Sequence, residues 1–271
     1  MRLALNLGSV IWFACVANVA AAPLAGGSQC LIEPMQKLEL RSPVSAPIAG
    51  VHVERGSVVR KGQLLVSLDA AVEQAALEVA RYRSVMEGTV RAAESRLQNA
   101  SEKLKRRNEL LLQSFVSTQD RDDAAAEARA AEADLLQARD NREVARLEAR
   151  QLAASVGRYA ILSPIDGVVV ERLQNPGELT QTGDAATAVL KLAQVDPLRV
   201  EVVLPVSEYG KVKAGSVVEV RPEPPFTGVY KATVKIVDKV VDSASGTFRI
   251  RLELPNPRGD VPAGVKCMAA L

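Results

Sequence analysis

Apolar and polar positions follow different periods along this chain, and each change of period marks a different kind of element. Residues 3–22 are apolar almost throughout, behind the charged start Met1-Arg2. Valine and isoleucine then alternate with polar residues through Ile48, Val51 and Val53 and again through Val58 and Val59, with Pro and Gly at the breaks. That is the period of short half-buried strands. From residue 69 to residue 156 the spacing becomes three and four, and the segment holds no proline and one glycine, Gly88. Beyond Asp196-Pro197 alternation returns and continues to the end of the sequence.

The central segment is rich in Ala, Leu, Glu and Arg, a composition that favours helix nearly throughout. One stripe runs Val72, Ala76, Val79, Arg83, Met86, Val90, Ala93, Leu97, Ala100, Leu104, Arg107, Leu111. After an interruption at Gln113-Ser114-Phe115-Val116-Ser117, a second runs Ala124, Ala128, Ala131, Leu135, Ala138, Arg142, Ala145, Ala149, Leu152, Val156. Apolar positions sustained at this spacing are the signature of coiled-coil helices that bury a seam against each other. The short interruption requires an antiparallel hairpin, whose arms of about 40 residues span roughly 60 Å each. Ser117, with Asp120 three residues on, reads as the N-cap of the second arm, and Asp69 as the cap of the first.

The C-terminal alternation predicts strands over residues 198–204, 217–220, 230–241 and 247–254, with a turn or two of helix near Val206 to Val212. Several short strands broken by Pro and Gly suggest a small β-barrel.

The apolar start has the charged head and hydrophobic centre of a secretory signal peptide, with Ala20-Ala21-Ala22 as the cleavage site, so residues 1–22 are expected to be removed. Asn6, Gly8, Ser9 and Asn18 dilute the run, which argues against an uncleaved anchor, and Trp12-Phe13-Ala14-Cys15 is a poor lipid-attachment signal. Export places the mature chain in an oxidising compartment with two cysteines, Cys30 and Cys267. The whole chain of 271 residues carries a formal net charge of +2, interspersed signs and 3% aromatics, which excludes a dedicated nucleic-acid binder. An enzyme needs a convergent set of nucleophile, base or metal ligands. The one histidine is His52, inside a predicted strand, and it reads as packing or surface. Met35, Met86 and Met268 fall in different elements, so neither a metal site nor any cofactor is expected.

An internal repeat links the two strand-rich halves. Ala46-Pro47-Ile48-Ala49-Gly50-Val51-His52-Val53-Glu54-Arg55 recurs as Ser163-Pro164-Ile165-Asp166-Gly167-Val168-Val169-Val170-Glu171-Arg172. These residues resemble the lipoyl and biotinyl domain family, a flattened sandwich of two halves. In carrier members a modified lysine sits at the turn between the halves. Here Val72 stands about where that lysine would be, so the resemblance implies a sandwich without a carrier role.

The order is half sandwich, helical insertion, half sandwich and barrel. With Thr247-Phe248-Arg249-Ile250-Arg251-Leu252 leading to Pro255-Asn256-Pro257 and Pro262-Ala263-Gly264, it is similar to the periplasmic adaptors, or membrane fusion proteins, of the resistance-nodulation-division type. The expected fold is therefore α+β: a lipoyl-like β-sandwich (30–68 and 157–196) split by a long antiparallel coiled-coil hairpin (69–156) and followed by a small β-barrel (197–271). The resemblance implies a non-enzymatic periplasmic subunit of a tripartite efflux pump, linking an inner-membrane transporter to an outer-membrane channel and forming a homo-oligomeric ring. An ATP-driven or other export system, or an efflux adaptor that binds its metal cargo, is the alternative. Arg106, Leu110 and Ser117 match in type and spacing the family's motif at the hairpin tip, where it contacts the channel. The sequence stops at Leu271, just after the last expected strand, where many members continue into a membrane-proximal domain. In the family layout the entering segment and the last strand both lie by the barrel, which makes Cys30 and Cys267 either a disulfide or two separate buried thiols.

Overall fold

The structure, a computed structural model, describes residues 27–183 and 186–271. The expected signal peptide and its cleavage site lie outside the described residues. The chain divides into two compact units. One comprises Glu33–Leu198 with Pro255–Ala263, the other Arg199–Leu254 with Gly264–Leu271 and the described residues up to Ile32. Strands β1 (Gly27–Arg41) and β7 (Ala188–Pro205) contribute residues to both.

In the first unit β2 (Ile48–Val51), β4 (Leu64–Leu68) and β5 (Ala160–Leu162) form a three-stranded antiparallel sheet. β3 (Val58–Val59) pairs with β6 (Gly167–Arg172), which pairs in turn with β7. The residues that alternate in the sequence fill one core between these strands. Ile48, Val59, Leu65 and Val66 from before the helices meet Ile161, Val169, Leu190 and Leu192 from after them. The two halves of the repeat therefore share a core, although over a hundred residues of sequence separate them. Gly56 and Gly177 follow the two copies of the repeat, and both take a positive φ, 89° and 88°, that side chains other than hydrogen tolerate poorly. Gly167 is needed for a different reason. A Cβ there would stand 2.3 Å from the carbonyl oxygen of Ala193, so only glycine lets β6 lie against β7 at this point.

The segment between the halves is helical as expected, but it forms three helices rather than two: α1 (Ala71–Ser84), α2 (Gly88–Leu112) and α3 (Thr118–Gly157). The first arm breaks at Val85, Met86 and Glu87, immediately before Gly88, the segment's one glycine. The break shifts the seam. From Val90 onward the expected stripe faces inward, with Val90, Ala93 and Ala100 buried. On α1 the expected stripe is wrong, because Leu77 and Ala80 are buried whereas Val72 is 78% exposed. The second stripe is buried or half-buried at every position except Arg142. Asp69 is not the first cap. Its own N–H donates to the Pro47 carbonyl, which holds it in the sandwich, and the helix begins after Ala70; the Asp69 carboxylate accepts from the Ala71 N–H.

The second unit is a closed barrel of six strands. β8 (Val217–Pro222), β9 (Tyr230–Val237), β10 (Thr247–Leu254) and β11 (Val265–Ala270) stand in the order β1-β11-β8-β9-β10-β7, and β1 returns to pair with β7. Strict alternation puts Val200, Val202, Leu204, Phe248, Ile250 and Leu252 inside. A 3-10 turn, Val206–Glu208, leads to Tyr209, whose ring meets Phe248 edge-on at 5.1 Å. β9 stops at Val237, short of the expected residue 241, and Val240 is 81% exposed.

The barrel's limits also differ from the expected 197–271. It gains residues 27–32, which pair with β11, and loses Pro255–Ala263 to the sandwich unit. Asn256 explains the loss. It is buried, its N–H donates to Asp196, and its side-chain amide donates to the carbonyls of Val195 and Val261. Among the described residues no helix is long and apolar enough to cross a membrane.

Candidate functional site

The turn between α2 and α3 is built from hydrogen bonds that its sequence dictates. At the end of α2 the Ser114 N–H donates to Leu111 at 2.9 Å and the Phe115 N–H to Leu110 at 3.0 Å. Ser114 between them is left-handed, φ 58°. This is the pairing that closes a helix in a Schellman motif, with serine where glycine is usual. α3 then opens on a reciprocal cap. The Ser117 hydroxyl accepts from the Asp120 N–H at 3.1 Å, and the Asp120 carboxylate accepts from the Ser117 N–H at 3.1 Å and from the Ser117 hydroxyl at 2.7 Å. Those bonds, with Arg107 nearby, hold the Asp120 carboxyl below its ordinary pKa.

Arg106, Leu110 and Ser117 all lie on this end of the hairpin. Arg106 and Leu110 are one turn apart on α2, and the Arg106 guanidinium stands 3.9 Å from Glu102, both groups more than half exposed. Such an exposed pair contributes little to stability, so the guanidinium remains available to another acceptor. Leu110 is 36% exposed. The Ser117 hydroxyl, by contrast, is committed on both its donor and acceptor sides to its own helix.

Two residues that the motif does not contain dominate the surface of the tip. Leu112 is 88% exposed and Phe115 is 74% exposed. Phe115 stands in the interruption between the two stripes and Leu112 just before it, off the seam, and neither belongs to a stripe. Along the rest of the hairpin the ion pairs Glu94 with Arg139, Arg96 with Asp134 and Lys103 with Glu127 join α2 to α3 in antiparallel register. His52 donates to or accepts from Ser67 at 3.1 Å on the sandwich surface. Among the described residues no three His, Cys, Asp or Glu side chains cluster so as to hold a metal. Cys30 and Cys267 stand directly opposite each other across β1 and β11, Cα atoms 4.8 Å apart, and are joined through their sulfurs.

A sandwich with a helical insertion and a six-stranded barrel define the class. Residues 36–192 match the family model described as RND MFP, barrel-sandwich hybrid domain, and the chain belongs to that family. Among curated proteins it is similar to the multidrug resistance protein MdtE of Escherichia coli, at 27% identity over 244 residues, 86% of this chain and 60% of that protein. The chain thus spans about 60% of the length of that relative. Among solved structures it is similar to MacA from Actinobacillus actinomycetemcomitans, with a TM-score of 0.74 and 22% identity over 90% of this chain and 76% of that one. The membrane fusion protein Spr0693 from Streptococcus pneumoniae gives a TM-score of 0.61 at 17% identity, over 89% of this chain and 96% of that one. At these identities the structures establish a shared fold.

Proposed function

We propose that the chain is a non-catalytic periplasmic adaptor that links an inner-membrane efflux transporter to an outer-membrane channel, exported by its N-terminal apolar segment and working as a homo-oligomeric ring. Its sandwich is read as lipoyl-like, split by the hairpin, and its Val72 position leaves no lysine for a carrier role. The observation that carries this reading is the tip. The hairpin, whose α3 of 40 residues is about 60 Å long, contributes little to any core yet carries at its turn exposed Leu112 and Phe115 beside Arg106 and Leu110. Apolar side chains held at the end of a stiff arm are suited to burial against a partner, and a guanidinium beside them offers several donors to carbonyls at a helix end.

The test is an efflux-dependent growth assay with tip variants, each checked for folding by circular dichroism. Leu110→Asp, Phe115→Asp and Arg106→Asp are expected to fold and lose export, because a charge or a lost donor in a desolvated contact weakens association strongly. Ser101→Ala, on the exposed face of α2 away from the tip, is expected to export normally. Normal export by all three tip variants would sink the docking role.

A further inference from the structure

The flank of the barrel carries an open cleft of about 380 Å³, a size within the range of small-ligand sites. It lies across β7 and β1, with β10 bordering it on one side and β11 on the other. Alternation along the strands decides what lines it. Val202, Leu204, Ile32, Ile250 and Cys267 are buried in the barrel, so their neighbours Val203, Leu31, Arg249 and Lys266 face outward into the cleft. Val203 is 48% exposed and Leu31 39%, which makes an apolar floor on two adjacent strands. Neighbouring strands stand about 4.8 Å apart, which puts the roots of Arg249 and Lys266 about 14 Å from each other on opposite borders. Leu31 and Lys266 are directly opposite across β1 and β11, next to the Cys30–Cys267 bond that ties these strands together. The floor and one border are therefore held in place before anything binds.

The charges of the cleft are unevenly used. Glu201 takes two guanidiniums, Arg251 at 3.3 Å and Arg199 at 3.6 Å. Among the described residues neither Arg249 nor Lys266 forms an ion pair. Asp242, the carboxylate that senses Arg249, is committed to the N–H groups of Ala244 and Ser245. Glu223 is the cleft's other acid. In and beside the cleft four cations, Arg199, Arg249, Arg251 and Lys266, therefore face two acids, Glu201 and Glu223, and the field there is positive. We propose that this cleft binds an amphipathic organic anion, with its carboxylate between Arg249 and Lys266 and its hydrocarbon body over Val203 and Leu31. Both cationic side chains are long enough to reach inward from their borders. The guanidinium grips a carboxylate through two parallel hydrogen bonds, and the ammonium adds a further charged donor. Covering the exposed floor supplies the apolar part of the affinity. The site belongs to the barrel alone and goes beyond the docking role of the hairpin tip.

The test titrates the exported protein, labelled with nitrogen-15, with octanoate and follows its amide chemical shifts. Saturable shifts at Leu31, Val203 and Lys266 are expected. 1-Octanol, which lacks the charge, and octylammonium, which reverses it, are each expected to bind about tenfold more weakly or worse, because a charge-assisted pair is lost. Acetate, without the apolar body, should give no saturable shift. Arg249→Ala and Lys266→Ala should each weaken octanoate about tenfold. Lys231→Ala, on β9 outside the cleft, should leave it unchanged. No saturable shift with octanoate would overturn the proposal, and so would shifts that map to other residues. Equal binding of 1-octanol would reduce the cleft to a plain apolar patch, and full affinity in both cation variants would remove the anion from it; each also overturns the proposal. The ligand series needs no substitution, so the idea can fail even where a variant disturbs the barrel. Binding reads the chain by itself: a protein that takes octanoate and supports no efflux keeps the cleft and loses the adaptor role, and an exporting protein that ignores octanoate does the reverse.

Discussion

The barrel and the hairpin solve the problem of stability in opposite ways. In the barrel the inward strand residues are sealed, with Val200, Val202, Leu204 and Ile250 at 0% exposure, and its closure joins β1 and β11 from opposite ends of the chain. The three helices of the hairpin fully bury nine residues, and six of the nine are alanine. Its order comes instead from local helix preference, caps and charge pairs across the arms, with a thin seam that lets the axes approach closely. A barrel built this way tolerates little change inside and most change outside. The hairpin has almost no inside, so its surface is free to carry interactions.

The comparison is put under most strain by removing the same side chain from each region. Leu252→Ala leaves a hole among barrel residues that cannot move together, and a loss of about 4 kcal/mol is expected. Leu135→Ala lies between two helices that can close on the gap, and a loss of about 2 kcal/mol is expected. Denaturant unfolding followed at a far-ultraviolet helical signal and at Trp-free near-ultraviolet barrel signals separates the two. Equal losses would show that the seam is as rigid as the barrel.

A second contrast concerns covalent closure, which the barrel has and the hairpin lacks. Cys30 and Cys267 are 237 residues apart in sequence and opposite in the ladder, so their bond restricts nearly the whole unfolded chain. Cys267→Ser is expected to cost about 2–4 kcal/mol of barrel stability and leave the hairpin's helical signal in place. Mass analysis of unreduced peptides from exported protein should find the two cysteines joined; finding both free would remove the bond from the account.

The hairpin has its own weak point, at the cap of α3. Ser117→Ala removes the acceptor for the Asp120 N–H and is expected to cost about 1 kcal/mol of local helix stability. The effect should depend on pH in a set direction. The folded pKa of Asp120 is lowered, so its contribution is complete above its ordinary value of 3.8 and is lost as the pH falls below that through the folded value. Fraying of α3 in wild type should therefore grow below about pH 4, whereas Ser117→Ala should show a flatter response there. Amide exchange in the first turn of α3 measures it.

Local pattern was legible in the sequence where one period dominated. The repeat at Ile48 and Ile165, the second helical stripe and the barrel alternation from Thr247 to Leu254 all read directly. On α1 two stripes were apolar enough to compete, Val72 with Val79 and Leu77 with Ala80, and spacing alone does not choose between them. The choice is made by the break before Gly88, which resets the phase for α2. Closure of the barrel by residues 27–32, and the transfer of the Asn256 loop to the sandwich, depend on pairings between distant segments that no local period records. At the tip the motif residues were found by type and spacing, but their unequal availability was not. Ser117 is used by its own cap, while Leu112 and Phe115, which no stripe had marked, are exposed.

The smallest expected effect lies in the turn beside that cap. Ser114 is the described residue other than glycine with a positive φ, 58°, and it holds that conformation so that Ser114 and Phe115 can close α2 on Leu111 and Leu110. A side chain in this region costs about 1 kcal/mol, which glycine avoids. Glycine also gives the unfolded chain more freedom, which returns part of the gain. Ser114→Gly is therefore expected to stabilise the turn by about 0.5 kcal/mol. Slower amide exchange at Phe115, with exchange in β10 unchanged, is the expected reading. Faster exchange at Phe115 would mean that the serine side chain supports the turn in a way its backbone hydrogen bonds do not account for, and the hairpin would then owe more to specific contacts than its thin seam implies.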